Sequence, residues 1–344
     1  MHVLQGFSFI VYIIFQCHLV VYGLKQAGSP CKLSGGKGVC LLVKDCTEAK
    51  NSLAINGFTN LTGCGFVSLD QLVCCPSVQN RGSSDEVVVS TRKSGEVCNS
   101  ISQDVKSMVA PHIFGGGDAK EHEFPHMAAL GYEDTDGIDF QCGASVISNR
   151  FLLTAAHCTR RTPKIVRLGI TKLDGENPQD FSVKRAALHP NYNYSHTYND
   201  IALIEIEKNI SFTEKIYPAC LYLQSDVPNS MIVTGWGKLS SETGDDRSNT
   251  LQKVTVAPTS QQNCSTYYTR LSRTIDNTQI CAGSSEADAC QGDSGGPLQI
   301  EIHDGVYSVV GIVSYGSYCG GKIPGVYTKV SEYIDWIESI VWPS

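Results

Sequence analysis

Gly292-Asp293-Ser294-Gly295-Gly296-Pro297, taken with Thr154-Ala155-Ala156-His157-Cys158 and Asn199-Asp200-Ile201-Ala202-Leu203, decides how this sequence is read. A serine hydroxyl is a poor nucleophile at neutral pH. It needs a base to take its proton and a buried carboxylate to orient that base. Histidine, aspartate and serine occur here in the chain order His157, Asp200, Ser294, one of the few orders in which this device recurs. His157 is therefore assigned as general base and then general acid, Asp200 as its orienting carboxylate and Ser294 as nucleophile. The backbone N–H groups of Gly292 and Ser294 are assigned to the oxyanion hole, where glycine lets the chain turn its N–H inward.

Working outward, short β-rich runs alternate with turn clusters from residue 113 onward. Examples are Met127–Gly131, Ser145–Ile147, Ile165–Leu168, Ile201–Ile206, Met231–Thr234, Gln252–Ala257 and Ser308–Val313. Regular short strands with no long helical period indicate an all-β barrel or sandwich. Only Tyr333–Val341 has helical spacing, at Ile334, Ile337, Ile340 and Val341.

With the three motifs, residues 113–344 resemble a trypsin-like serine protease of the chymotrypsin fold, and the residues before them resemble the pro-region of an insect clip-domain protease. The resemblance implies two six-stranded antiparallel Greek-key barrels with the active site in the cleft between them. A C-terminal helix follows the barrels, and a small disulfide-rich clip domain precedes them. The implied division is 1–27 signal peptide, 28–75 clip domain, 76–112 linker with activation segment and 113–344 protease domain.

Composition agrees with a secreted protein. The 344 residues carry a formal charge of -7 and no basic stretch that would suggest nucleic acid binding. The first 22 residues are apolar with few interruptions, which reads as a secretory signal, although its amino end carries only His2 and no Lys or Arg. A retained signal anchor over Phe7–Val21 is the alternative, and no membrane association beyond it is expected. Fifteen cysteines suit an oxidising compartment. Cys17 leaves with the signal. Of the other fourteen, six cluster at Cys31, Cys40, Cys46, Cys64, Cys74 and Cys75, and eight are spread beyond them. A cluster of about 45 residues is too small to fold on an apolar core, so disulfides must substitute, and six cysteines allow 15 pairings. The clip-domain resemblance implies Cys31–Cys74, Cys40–Cys64 and Cys46–Cys75. By position, the protease resemblance implies Cys98–Cys220, Cys142–Cys158, Cys264–Cys281 and Cys290–Cys319. Residues 76–112 shift toward Pro, Gly, Ser and acids and read as an exposed linker.

The resemblance also assigns substrate choice. Asp288 lies at the base of the primary specificity pocket, where a carboxylate pairs with Arg or Lys. Gly316 and Gly325 line the pocket wall, and Ser314 begins the strand that pairs with an extended substrate. Tyr315 stands where Trp is more usual. Such enzymes are made as zymogens: a cut before Ile113 frees an ammonium that pairs with Asp293 and orders the pocket. The residue before the cut is His112, not Arg or Lys, so a trypsin-like activator has no cation to grip. In this the chain is similar to Persephone-type insect immune proteases, with Met108–His112 as an accessible bait in an innate-immune cascade. The expected partners are a protein substrate such as a downstream clip-domain proenzyme, an upstream activating protease and a serpin-type inhibitor, in a hemolymph-like extracellular fluid. An adaptor on a protease scaffold and a digestive protease are the competing readings.

Two metal signals are weak. His122-Glu123-Phe124-Pro125-His126 fits the zinc-protease pattern His-Glu-x-x-His, but Pro125 breaks the helix that the pattern needs. The loop Ile170–Asp180, which holds calcium in trypsin relatives, starts with an apolar residue although Asp174, Glu176 and Asp180 follow. No metal and no other cofactor is expected. Asn60, Asn193, Asn209 and Asn263 each open a glycosylation sequon.

Overall fold

The computed structural model describes residues 29–33, 36–43, 46, 61–67, 70–76, 92–105, 117–193, 197–237, 247–284, 293–303, 305–316 and 323–343. The signal region, residues 106–116 with the bait Met108–His112 and the new terminus Ile113, Asn60, Asp288, Cys290, Gly292 and Cys319 lie outside them. The chain divides into two compact units, Met1–Val88 and Val89–Ser344.

In the first unit, β1 (Pro30–Leu33), β2 (Gly36–Leu42), β3 (Gly63–Val67) and β4 (Asp70–Pro76) form an antiparallel sheet in the order β1-β2-β4-β3. Three disulfides cross it, Cys31–Cys74, Cys40–Cys64 and Cys46–Cys75. All but Cys64 among these cysteines are buried, with Leu72 and Val73, so sulfur takes the place of a hydrocarbon core. Gly38 sits where a Cβ would be 2.5 Å from Cys75 O and 2.8 Å from Cys74 Sγ. The variant Gly38→Ala is therefore expected to lose the Cys31–Cys74 bridge, seen as a free or mispaired thiol in non-reducing peptide mapping.

The second unit opens with helix α1 (Lys93–Val105), which lies inside the stretch read as an exposed linker. Ile101 is buried against Tyr217, Cys220 and Val306, with Val97 and Cys98 partly buried beside it, and Cys98–Cys220 ties the helix down. Ser94 N–H and Oγ–H both donate to Glu338 Oε1, at 2.9 and 2.6 Å, and Tyr217 O–H donates to Asp104 at 3.0 Å. Arg92 pairs with Asp335. The helix is hard to see in the sequence because its apolar stripe is only one helical turn long, from Val97 to Ile101.

After the short strand β5 (Gly117–Asp118), β6 (Met127–Asp134), β7 (Gly137–Val146), β8 (Phe151–Thr154), β9 (Ile165–Leu168), β10 (Gln179–Leu188) and β11 (Ala202–Ile206) close into a barrel, in the order β10-β11-β8-β7-β6-β9. Leu130, Val146, Leu152, Leu153, Leu168, and Leu203 fill it. The chain then pairs β12 (Cys220–Leu221) beside the second barrel. That barrel comprises β13 (Met231–Gly235), β14 (Gln252–Thr259), β15 (Gln279–Gly283), β16 (Pro297–His303), β17 (Val306–Tyr315) and β18 (Gly325–Lys329). Its pairings run β13-β14-β15-β18-β17-β16 and return to β13. In each barrel a three-strand meander is followed by a strand that pairs with the meander's first, the Greek-key order.

Helix α2 (Gln261–Thr269) is capped by Ser260, whose Oγ accepts from Asn263 N–H. Helix α3 (Ile334–Val341) buries Ile334, Ile337 and Val341 with the core of the first barrel, although it follows the second in sequence. The C-terminal segment therefore straps the two barrels together.

A second core of Phe124, Met127, Ile170, Ile232, Trp236 and Tyr307 joins residues from both barrels. His126 is buried beside Phe124 and 5.2 Å from Tyr307. Burial, partly offset by Gln299, lowers its imidazole to about 4. The unfolded chain takes up this proton near the ordinary value of about 6.5 and the folded chain does not. Stability attributable to this site is thus full above pH 6.5 and falls as pH drops toward 4, by about 1.4 kcal/mol per pH unit. Denaturant titrations between pH 7 and 4 are expected to show a shallower acid loss in His126→Phe than in the wild type.

Candidate active site

His157 is carried by a 3-10 turn, Ala156–Thr159, at the end of β8. Cys142–Cys158 anchors the turn to β7, and Tyr132 O–H donates to Cys158 O at 2.7 Å from β6. Burial of Tyr132 raises its phenol above the ordinary range, so it remains a donor throughout the usable pH range.

Asp200 is fully buried at the start of the chain that becomes β11. Its Oδ1 accepts from His157 N–H at 2.8 Å, and its Oδ2 lies 2.8 Å from His157 Nδ1. Both bonds act on one residue, which fixes the ring's position and its orientation together. Ser314 Oγ–H donates to Oδ2 at 2.5 Å, and Thr328 O–H donates to Asp200 O at 2.9 Å. The Asp200 backbone is steered by Asn199, which adopts φ 55 and is held by Tyr333 O–H and by Asn191 O. Asn tolerates this left-handed conformation better than most residues.

Ser294 sits on a turn clamped between the barrels. Gly143 N–H donates to Ser294 O at 2.8 Å, and Gly295 N–H to Val313 O at 2.9 Å. Gly295 has φ 77, and a Cβ there would lie 2.2 Å from Thr154 Oγ1 and 3.1 Å from Cys158 Sγ. Only glycine allows the turn to press against the His157 segment this closely. Ser294 and His157 thus occupy neighbouring segments, although no hydrogen bond joins their side chains in this structure. Among the described residues, His157 Nε2 has the Cys158 Sγ contact, at 3.7 Å.

Asp293 points to the turn Gly235-Trp236-Gly237. Gly237 N–H donates to its Oδ1 at 2.8 Å, and a Cβ at Gly235 would come within 2.0 Å of the same oxygen. Gly316 and Gly325 face each other, a Cβ on the first reaching to 4.0 Å from the second's Cα. Asp288, Gly292, His112 and Ile113 lie outside the described residues. The structure holds the disulfides Cys98–Cys220, Cys142–Cys158 and Cys264–Cys281, whereas Cys290 and Cys319 lie outside the described residues. Asn193, Asn209 and Asn263 are exposed.

The zinc-like motif is scattered. His122 takes φ 58, Glu123 pairs with Lys253 at 2.7 Å, and His126 is buried among aromatic rings. Among the described residues, Cys31/Cys40/Cys64 and Cys142/His157/Cys158 bring potential metal ligands together. Their sulfurs are already in disulfides and are not thiolate ligands. In the loop after β9, Ile170 is buried, Arg167 forks onto both oxygens of Asp180, and Asp174 accepts from Asn249.

Sequence reasoning took Ser314 for a substrate-strand residue and missed that its side chain holds Asp200. It also missed Tyr132, Gly235 and Gly237. The paired glycines around Trp236 were a signal that could have been read. Tyr132 had none, since its partner is a backbone carbonyl 26 residues away.

A family model described as Trypsin matches residues 113–337. The chain belongs to the trypsin family. Serine protease Hayan of Drosophila melanogaster is 38% identical over 272 residues, which cover 74% of this chain and 42% of Hayan. CLIP domain-containing serine protease B4 of Anopheles gambiae is 33% identical, with 90% of each chain covered. Among solved structures, neuropsin, a serine protease expressed in the limbic system of mouse brain, superposes with a TM-score of 0.58. It is 35% identical and covers 67% of this chain and all of its own. This trypsin-family chain is a serine endopeptidase of the insect clip-domain type.

Within this family member, Ser314→Ala removes a hydrogen bond to a buried carboxylate. Such bonds contribute about 1.5–3 kcal/mol. The variant is expected to lose roughly 10- to 100-fold in kcat, with KM little changed, in steady-state hydrolysis of a peptide substrate.

Proposed function

We propose that this chain is the zymogen of a secreted endopeptidase that cuts after Arg or Lys, is activated by scission of His112–Ile113, and acts in an innate-immune proteolytic cascade of the Toll or melanization type. The observation that carries the catalytic part is the buried Asp200 carboxylate bound at once by His157 N–H, His157 Nδ1 and Ser314 Oγ. A carboxylate placed so holds the imidazole with Nε2 directed outward, ready to take a proton from Ser294 Oγ as it attacks the scissile carbonyl. The same imidazole then delivers that proton to the leaving amine. Gly292 and Ser294 N–H groups would receive the oxyanion, and removal of one such donor typically costs about 3 kcal/mol.

Specificity for a cation rests on Asp288. It is supported by Gly316 and Gly325, which leave the facing walls without side chains. Activation rests on Asp293. Its position against Gly235 and Gly237 supports a role as the carboxylate that receives the new Ile113 ammonium. An extracellular location is supported by the six disulfides among the described residues, which need an oxidising compartment. Among the described residues no helix is long and apolar enough to cross a membrane. Operation without calcium is supported by Arg167, whose guanidinium already occupies the Asp180 carboxylate. The clip module remains attached after the cut through Cys98–Cys220, which suits a regulatory enzyme acting on a downstream clip-domain proenzyme and restrained by a serpin-type inhibitor. His112 before the scissile bond supports a microbial or cathepsin-type activator acting on Met108–His112.

The test is to expose recombinant zymogen to a panel of activators, sequence the new amino termini and read activity on a fluorogenic arginyl peptide. Cleavage yielding Ile113 should switch on turnover, and Ser294→Ala should remove at least about 10³-fold of it. Asp293→Asn should be cut normally yet stay largely inactive. Efficient activation only by an Arg-specific enzyme would count against the bait reading, and no labelling of cut protein by an active-site serine titrant would favour an adaptor.

A further inference from the structure

β17 ends at Ser314-Tyr315, and Gly316 follows it. One edge pairs with β18, Tyr315 lying opposite Val326. The other edge is closed by Gly295 and Gly296 only as far as Val313, and beyond it no strand among the described residues covers it. An extended peptide therefore adds to this open edge and passes over the Tyr315 ring. The side chain entering between Gly316 and Gly325 belongs to the residue whose carbonyl is attacked, so the peptide over Tyr315 lies on its amino side.

A cation waits there. The Arg273 guanidinium carbon stands 4.5 Å from the Tyr315 ring centroid. Its backbone is fixed by the turn that ends α2: Leu271 and Arg273 N–H both donate to Tyr268 O, and Ser272 takes φ 58. Tyr268 is itself buried, donates its hydroxyl to Pro324 O at 2.7 Å, and meets Tyr315 edge-on at 5.5 Å. On the far side, Tyr198 O–H donates to Thr274 O at 2.8 Å, joining the segment that carries Asp200 to this turn. Arg92, Arg150, Arg167, Arg185 and Arg247 each meet a carboxylate. Arg273 is exposed and has none among the described residues.

We propose that Arg273 is a specificity-determining residue that binds an Asp or Glu side chain of the substrate, roughly two to four residues before the scissile bond at about 3.3 Å per residue. The inference deepens the proposed protease function and rests on it. The preferred cleavage sequence then carries an acid upstream of the Arg or Lys.

The experiment uses the cleaved chain and arginyl peptides with Glu, Gln or Lys at each of those positions. At one position, kcat/KM for Glu should exceed that for Gln by about three- to five-fold, mainly through KM, with Lys poorer still. The preference should shrink in 0.5 M NaCl, as expected for a solvent-exposed pair. In Arg273→Gln, with active sites counted by titration, the Glu-to-Gln ratio should fall to about one, and in Arg273→Glu the order should reverse toward Lys. Equal rates for Glu and Gln in the wild type, or a ratio unchanged in Arg273→Gln, would overturn the inference alone. Failure to hydrolyse any arginyl peptide would overturn it together with the function it rests on.

Discussion

A fully buried carboxylate, Asp200, sets the terms for the rest of the molecule. Burying such a group is costly unless it is hydrogen-bonded, and its bonds come from both halves of the fold. His157 contributes its N–H and its ring nitrogen from the first barrel, and Ser314 its hydroxyl from the second. Thr328 holds the Asp200 carbonyl from β18. The two barrels must therefore seat in one relative position before the carboxylate is satisfied. The catalytic geometry and the packing of the barrels are in this sense one constraint.

Other features enforce that seating. The Ser294 turn is bonded to Gly143 on one side and Val313 on the other, and Gly295 lets it touch Thr154 and Cys158. Helix α3 follows the second barrel yet buries its apolar face with the first. Helix α1 reaches in from the region before the protease domain, and its Ser94 bonds back to Glu338 of α3. The amino-terminal segment is thus held by a disulfide, by apolar burial at Ile101 and by ion pairing at Arg92. Its attachment does not depend on the covalent bond alone.

Around the open end of β17, placement is achieved largely by backbone bonds. The turn after α2 holds Arg273 over Tyr315, while Tyr198 ties the Asp200 segment to the same turn. A cation stacked beside an open strand edge differs from Arg92, Arg150, Arg167, Arg185 and Arg247, which meet carboxylates of their own. Where Trp is the more usual residue, Tyr315 supplies a smaller aromatic face with a hydroxyl that Gln279 reaches.

Much was legible beforehand because it is local. The motifs around His157, Asp200 and Ser294 need only short-range order to be recognised; the alternating short strands carried the all-β class, and the two-barrel architecture came with the family resemblance. The closing helix showed its period at Ile334, Ile337 and Val341. Helix α1 escaped notice because one turn of apolar spacing among polar residues looks like linker. Tyr132, the side-chain role of Ser314, and Arg273 escaped because each acts on a partner distant in sequence. What the sequence by itself determined is the chemistry on offer: a nucleophile, a base, an acid and paired cysteines, each defined by residue type. Only the tertiary structure decided which groups meet, because hydrogen bonds and packing act over a few ångströms, and those distances arise when strands far apart in the chain close into barrels.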